Sequence, residues 1–439
     1  MAVLFLAGLY LRQSVFKGSH QEADESIYIT LVLQLDGGHG YTLQGSQILT
    51  EGMIDREEYD HPLFFHPPGG IALDWLFYKT IGDWGFAYVQ LFCYAVFFGS
   101  MMLLAVVLGL GESTLGLTLV AALSAFDPIM AHVATRFWLD GPLLAFTTLA
   151  VAVFLWGVAR GKTSWVVAAG LLLGYASWIK ITAFLVVPGV LLLAWVLLAS
   201  APKATAADAP KASAGRTRKK TSSPPPSPPA APVSPPEPLP DPRRRLLLFA
   251  LVWIAIAVLV QLPWEIWQWR VAGSPFPGWA GKPSQTLIDA NRYVRYLTVV
   301  RSPWVYVTLT PRILWTWIPT ALLCVLLVTQ RRARALSASL LLWLVAVVGF
   351  HVVVGYYGYS KVLRYIILVA PASILLFSLL FDEAVRTIRS ARTGAVHRQI
   401  LFLVLCLCVA ALCLEIAAGV SASTSIKNDL LVPLIGKSY

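Results

Sequence analysis

The sequence predicts an all-α, polytopic membrane protein with about eleven transmembrane helices, and three observations predict it. Of 439 residues, 57% are hydrophobic and only 13% charged, giving a mean hydropathy of +0.68. Apolar runs of about 20 residues recur from one end to the other, each long enough to cross roughly 30 Å of hydrocarbon as a helix. These runs are continuous and do not alternate with polar residues, which argues for helices over the strands of a barrel.

The expected spans are 1–16, 84–108, 114–131, 140–158, 164–180, 182–199, 246–264, 313–329, 336–354, 363–381 and 399–418. The first begins at Met1–Leu11, which lacks a small-residue cleavage site and so reads as a helix that stays, not a removed signal peptide. The net charge of +11 is compatible with a nucleic-acid partner, but its distribution argues for none. Arg160 and Lys162 follow the fourth span, and the 200–245 segment carries nine Lys and Arg. Arg331, Arg332 and Arg334 follow the eighth span, and Arg386, Arg389, Arg392 and Arg398 follow the tenth. If the spans alternate, all four clusters fall on one side, which the positive-inside rule makes cytoplasmic. The loops 17–83, 132–139, 265–312 and 355–362 and the C-terminal tail then face outward.

Residues 200–245 divide the chain into an N-terminal module, 1–199, and a C-terminal module, 246–439. Pro-Pro-Pro-Ser-Pro-Pro beside Arg216-Thr217-Arg218-Lys219-Lys220 cannot form a packed core. This composition predicts a disordered, extended linker, a cytoplasmic connector touching anionic headgroups in preference to an SH3-type ligand. Two stretches of the first outward loop, Ile27–Leu35 and Ile71–Ile81, are too short to span. They are expected to be juxtamembrane helices along the outer surface. The five cysteines lie within expected spans at spacings that fit neither a metal site nor a disulfide framework.

Candidate functional residues gather at the outward boundary. Asp24-Glu25, with Tyr28 just beyond, leads the first outward loop, which also carries His61-Pro62 and His66-Pro67-Pro68-Gly69-Gly70. Arg136 and Asp140 stand four apart where the fourth span begins; Asp140 could serve simply as an N-cap. Lys180 lies between two apolar spans with almost no loop. It either snorkels to headgroups or serves a site, as an ionisable residue embedded in apolar sequence does by default. Tyr356-Tyr357-Gly358-Tyr359-Ser360-Lys361-Val362-Leu363-Arg364-Tyr365 adds two cations, Lys361 and Arg364, and four tyrosines before the tenth span. Cations with aromatics suit a lipid phosphate and a stacked sugar, and equally suit an interfacial anchor.

These motifs together resemble the GT-C glycosyltransferases. The pattern is Asp-Glu with Tyr three residues later, a glycine-and-tyrosine turn, and His-Pro-Pro-Gly before an apolar helix. The nearest branch is that of the dolichyl-phosphate-mannose protein mannosyltransferases and the lipid A aminoarabinose transferase. Arg136, Asp140 and the Lys180 segment stand at matching positions, and Arg364-Tyr365 is similar further on. The chain departs from the pattern at Phe65-His66, where related transferases often have a charged residue and a lysine, and in its proline-rich insertion. The resemblance implies a GT-C type fold, a polyprenyl-phosphate-linked sugar donor, an active site at the outer face of the cell membrane, and an acceptor from the aqueous side. That acceptor would be a protein, a lipid or a glycan.

Glycosyl transfer from a lipid phosphate needs a base for the acceptor and cations for the departing phosphate, around an oxocarbenium-like transition state. Asp24 is the expected base. Glu25 or Asp140 would position the acceptor or bind a divalent cation. His66, Arg136, Lys180 and Arg364 form the pool for a phosphate clamp. Tyr28, Tyr365 and Lys361 are the expected substrate contacts. With so many cations, no cofactor is expected to be required, though a divalent cation is compatible. The alternative is a transporter or flippase for a lipid-linked or anionic substrate. A transporter should carry ionisable residues near the midplane and internal repeats. The sequence shows no such repeat, and its charges cluster at one face.

Overall fold

The computed structural model describes residues 1–17, 23–46, 67–200, 241–272, 302–308, 310, 314–356, 363–390 and 394–424. Among these residues every regular element is a helix, with no β-strand. In chain order the helices are α1 (Ala2–Leu11), α2 (Ala23–Asp36), α3 (Gly69–Ile81), α4 (Trp84–Val107), α5 (Thr114–Phe126), α6 (Pro128–Val133), α7 (Asp140–Arg160), α8 (Thr163–Ile179) and α9 (Val187–Ser200). They continue with α10 (Pro242–Ala272), α11 (Val305–Thr308), α12 (Trp317–Leu326), α13 (Arg331–Tyr356), α14 (Val369–Arg389) and α15 (Ala395–Thr424). Three 3-10 turns, Arg12–Lys17, Ile181–Val186 and Leu363–Ile366, join neighbouring segments.

Seven described helical stretches are long and apolar enough to cross a membrane: Trp84–Val107, Thr114–Val133, Asp140–Arg160, Ile181–Ala199, Arg243–Val271, Ala333–Tyr356 and Ala395–Ser423. Ala2–Leu11, Thr163–Ile179 and Trp317–Leu326 are apolar but shorter. The expected boundaries move in several places. The first helix stops at Leu11 instead of reaching residue 16 as an α-helix. The tenth expected span, 363–381, is a 3-10 turn followed by α14, whose C-terminal half carries Asp382, Glu383, Arg386 and Arg389. Helix also begins at Pro242, inside the segment expected to be linker. Asp241 explains that start, because its Oδ1 accepts from Arg243 N at 3.1 Å while Pro242 occupies the first helical position. Residues 201–240 lie outside the described residues.

Helix α7 is the most enclosed span, packed against α4 and α8, and α8 packs in turn on α10. The α8–α10 contact is close because Gly170 and Gly174 lie on one helical stripe. A Cβ at Gly170 would meet Ile256 Cβ at 2.7 Å, and one at Gly174 would crowd Val260. This is the small-residue spacing by which membrane helices approach backbone to backbone. Phe154 of α7 stacks on the buried Trp253 of α10, with ring centroids 4.1 Å apart.

Both stretches expected as juxtamembrane helices are helices. They are tied together where Asp36, the last residue of α2, accepts from Trp75 Nε1 at 3.2 Å and pairs with Lys79 Nζ at 2.6 Å, both on α3. The Lys79 ammonium holds the Asp36 carboxyl below its usual range. The start of α3 is fixed to α8, since Gly69 O accepts from Tyr175 OH at 2.9 Å.

Candidate active site

Asp24 and Glu25 occupy the first turn of α2, where acids are favoured by the helix dipole. Adjacent residues of a helix project about 100° apart, so the two carboxylates reach different partners. Glu25 is buried: its Oε1 accepts from Phe137 N at 3.1 Å and its Oε2 lies 3.6 Å from Arg136 Nη1. Asp24 pairs instead with Arg364 Nη2, more than three hundred residues away in sequence. Its side chain stays 34% exposed against 10% for Arg364.

Arg364 and Tyr365 belong to the 3-10 turn before α14. Trp343 of α13 holds this region by donating from Nε1 to Leu368 O at 2.9 Å. The Arg364 guanidinium lies 4.1 Å from the centroid of Trp138, and its Nε is 4.0 Å from Asp140 Oδ2. Tyr365 faces Arg364 and Lys180, at 5.6 and 5.5 Å from its ring centroid.

Asp140 is the first residue of α7, and the N-cap position is held by Leu139 without a side-chain capping bond. Asp140 therefore does not act as the N-cap that its place in the sequence allows. It is buried and pairs with Lys180 Nζ at 2.7 Å. Lys180 has extended backbone between α8 and the following 3-10 turn, so its side chain can turn towards the start of α7. Tyr28 lies one turn beyond Asp24 and is buried; burial first, then the Asp24 charge, pushes its phenol well above the ordinary value, so it remains a neutral donor.

Of the sequence-predicted residues, Asp24, Glu25, Tyr28, Arg136, Asp140, Lys180, Arg364 and Tyr365 thus meet in one cluster. His66 and Lys361 lie outside the described residues. Sequence reasoning did not single out Trp138 or His132. The Trp138 ring is the surface on which Arg364 rests, and His132 meets it edge-on at 5.1 Å. The signal for Trp138 was its place between Arg136 and Asp140. Among the described residues, no three His, Cys, Asp or Glu groups are placed to hold a metal ion.

The cluster lies where α2, α7 and α14 begin and α8 ends. Of these, α7, α8 and α14 carry Arg160, Thr163 and Arg389 at their other ends. Asp140 and Arg160 are separated by about 30 Å along α7 at a helical rise of about 1.5 Å per residue. The ionic cluster and the arginine-rich ends therefore occupy opposite ends of the bundle.

Structural comparison decides the architecture. The chain superposes on ArnT from Cupriavidus metallidurans in the apo state with a TM-score of 0.58 at 15% identity, covering 97% of this chain and 77% of that one. It also superposes on the same protein bound to undecaprenyl phosphate with a TM-score of 0.54 at 16% identity, covering 96% and 76%. This chain has the GT-C fold. The resemblance read from the sequence is borne out at that level. A further match is the Archaeoglobus fulgidus oligosaccharyltransferase AglB, in complex with an inhibitory peptide and a dolichol-phosphate. Its TM-score is 0.52 at 11% identity, covering 96% of this chain and 55% of that one, so the chain spans about half of AglB. Residues 65–214 match the family model for dolichyl-phosphate-mannose-protein mannosyltransferase. That match includes Asp140 and Lys180 but neither Asp24 nor Arg364. Comparison with curated protein sequences finds no match.

Proposed function

We propose that this GT-C chain is a glycosyltransferase that moves a sugar from a polyprenyl-phosphate carrier to an acceptor at the outer face of the membrane. The observation that carries this reading is convergence. Asp24, Asp140, Lys180 and Arg364 come from four separate elements and meet at the end of the bundle opposite the arginine-rich ends. An outer-face site follows from the positive-inside rule applied to those ends. ArnT with undecaprenyl phosphate and AglB with dolichol-phosphate support a lipid-phosphate donor by analogy of fold.

In the proposed reaction an acceptor hydroxyl or amine attacks the anomeric carbon as the carbon–oxygen bond to phosphate breaks. Asp24, the most exposed carboxylate of the cluster, takes the acceptor proton. Arg364 and Lys180 hold the phosphate as its negative charge grows. Asp140 positions Lys180 and Arg364. Glu25, enclosed by Phe137 N and Arg136, holds the 134–138 segment in place; this burial argues for a holding role over contact with acceptor or cation. Tyr28 and Tyr365 line the same cluster as donors or stacking surfaces for the sugar. No metal or other cofactor is assigned a role in this scheme. Residues 1–199 supply most of the machinery and the part from α10 onward adds Arg364 and Tyr365, with the connection between them on the cytoplasmic side. The transporter reading has less support, because these ionic pairs sit at helix ends, away from mid-bundle.

The test uses the purified full chain in proteoliposomes with polyprenyl-phosphate hexoses labelled in the sugar. Label should pass to acceptor with release of polyprenyl phosphate, and Asp24→Asn should lower turnover by about 10²- to 10⁴-fold. Label that crosses the bilayer still joined to its lipid would overturn the enzyme reading in favour of transport. Turnover within a few-fold of wild type in Asp24→Asn would remove the base from Asp24.

A further inference from the structure

The described cluster holds three carboxylates, Asp24, Glu25 and Asp140, and three cations, Arg136, Lys180 and Arg364, each cation engaged by a carboxylate. Among the described residues, then, the cluster has no surplus positive charge for an incoming phosphate. Adding an anion to a balanced, poorly solvated cluster leaves an uncompensated charge, which is strongly unfavourable. An anion that replaces a carboxylate on its cation keeps the balance.

Of the four ion pairs among these described residues, only Asp24–Arg364 is built to exchange. Asp140 is 1% exposed and Glu25 2%, and Glu25 is further held by the Phe137 amide. Asp24 is 34% exposed, in the first turn of its helix, so a change of rotamer returns its carboxylate to water. Arg364 has reasons to stay where it is. Its guanidinium rests on Trp138 and its Nε faces Asp140, and both contacts are independent of Asp24.

We propose that Asp24 occupies the phosphate position on Arg364 in the resting chain, and that the phosphate of the lipid carrier, a diester while the sugar is attached and a monoester once it has left, displaces it. The inference rests on the donor reading given under the proposed function. Its consequence is that donor binding itself frees the base. Asp24 is neutralised by Arg364 while the site is empty and becomes an available proton acceptor only when phosphate has taken that cation. The carboxylate and the phosphate are then negatively coupled ligands of one guanidinium, and removing the carboxylate must tighten the phosphate.

The experiment measures equilibrium binding of undecaprenyl phosphate to the full chain in nanodiscs, for wild type, Asp24→Asn, Arg364→Ala and the double variant. Polyprenol without phosphate and millimolar inorganic phosphate serve as competitors, to separate a lipid headgroup from free phosphate. Asp24→Asn should bind undecaprenyl phosphate more tightly, by roughly the 5- to 150-fold of typical coupled ligands, although its turnover falls. Arg364→Ala should bind weakly, and Asp24→Asn should tighten nothing in that background. Asp24→Ala gives the same comparison if Asp24→Asn does not fold. Equal or weaker binding in the Asp24 variants, with normal binding by wild type, overturns the exchange and leaves the donor reading standing. Displacement by inorganic phosphate alone, with no preference for the lipid, or absence of binding in wild type, overturns the donor reading itself.

Discussion

Lys180 Nζ lies 2.7 Å from Asp140 Oδ1, so a nearly buried ion pair ties the end of α8 to the start of α7. Removing one member leaves the other charge in poorly solvated surroundings. Breaking a buried pair in this way costs about 3–5 kcal/mol, whereas replacing both partners by apolar groups is often nearly neutral. Lys180→Met alone should therefore lower the thermal unfolding temperature clearly, and Lys180→Met with Asp140→Leu should regain most of the loss. Unfolding followed in detergent for the two single variants and the double variant completes the cycle. Additive losses would show that the two residues act on stability separately.

The glycines of the Pro67-Pro68-Gly69-Gly70 motif serve a close approach. A Cβ on Gly69 would stand 2.8 Å from the Trp178 backbone carbon, and one on Gly70 would meet Leu139. Trp178 and Leu139 flank Lys180 and Asp140, so α3 presses on both sides of that ion pair. Overpacking of this kind costs about 1–3 kcal/mol. Gly69→Ala should lower stability by about that much and reduce turnover per folded molecule, because the backbone at Trp178 has to yield. Unchanged unfolding and turnover would mean that α3 docks less closely than its glycines indicate.

Much of this cluster was legible in the sequence because ionisable residues stand out against an apolar background. Asp24, Arg136, Asp140, Lys180 and Arg364 could each be marked from composition and position alone. Their pairing could not. Asp24 and Glu25 are neighbours in sequence, yet α2 turns them towards cations on different elements, and only the folded chain shows that Arg364 belongs to Asp24 and Arg136 to Glu25. Asp74 was equally hidden. It lies on α3, which the close approach of Gly69 and Gly70 docks against the bundle, and it is buried. The span pattern was visible in outline, whereas the boundaries moved where capping chemistry at Asp241-Pro242 or charges at the end of α14 outweighed hydropathy.

Glu25 separates a holding role from a chemical one. Glu25→Gln keeps an oxygen to accept from Phe137 N but removes the charge facing Arg136; Glu25→Ala removes both. Glu25→Ala should destabilise by about 3–5 kcal/mol, as breaking a buried pair does, and Glu25→Gln by less. Asp24→Asn, in the more exposed position, should leave the unfolding temperature near that of wild type while turnover collapses. Unfolding temperature and turnover normalised to folded protein, measured side by side, distinguish them. A stable Glu25→Gln with turnover as low as that of Asp24→Asn would move the base to Glu25.

The sidedness of the cluster can be tested at two exposed residues at opposite ends of the bundle. Lys79, near the end of α3, has a side chain that is 50% exposed and pairs with Asp36, the last residue of α2. Arg386, 47% exposed, lies in the last turn of α14, whose other end approaches Arg364. Arg245 near the start of α10 donates to Val158 O near the end of α7, and Gln330 before α13 donates to Thr387 beside Arg386; the positive-inside rule predicts that such arginine-bearing ends face the cytoplasm. In a background with the five native cysteines replaced, Lys79→Cys should react with a membrane-impermeant maleimide in intact cells. Arg386→Cys should react only after the membrane is permeabilised. Reporter fusions after Lys220 and after Tyr439 should likewise fall on opposite sides, inside and outside respectively. Labelling of Arg386→Cys in intact cells, with Lys79→Cys protected, would invert the protein in the membrane and place the ionic cluster, with any donor it binds, on the cytoplasmic side.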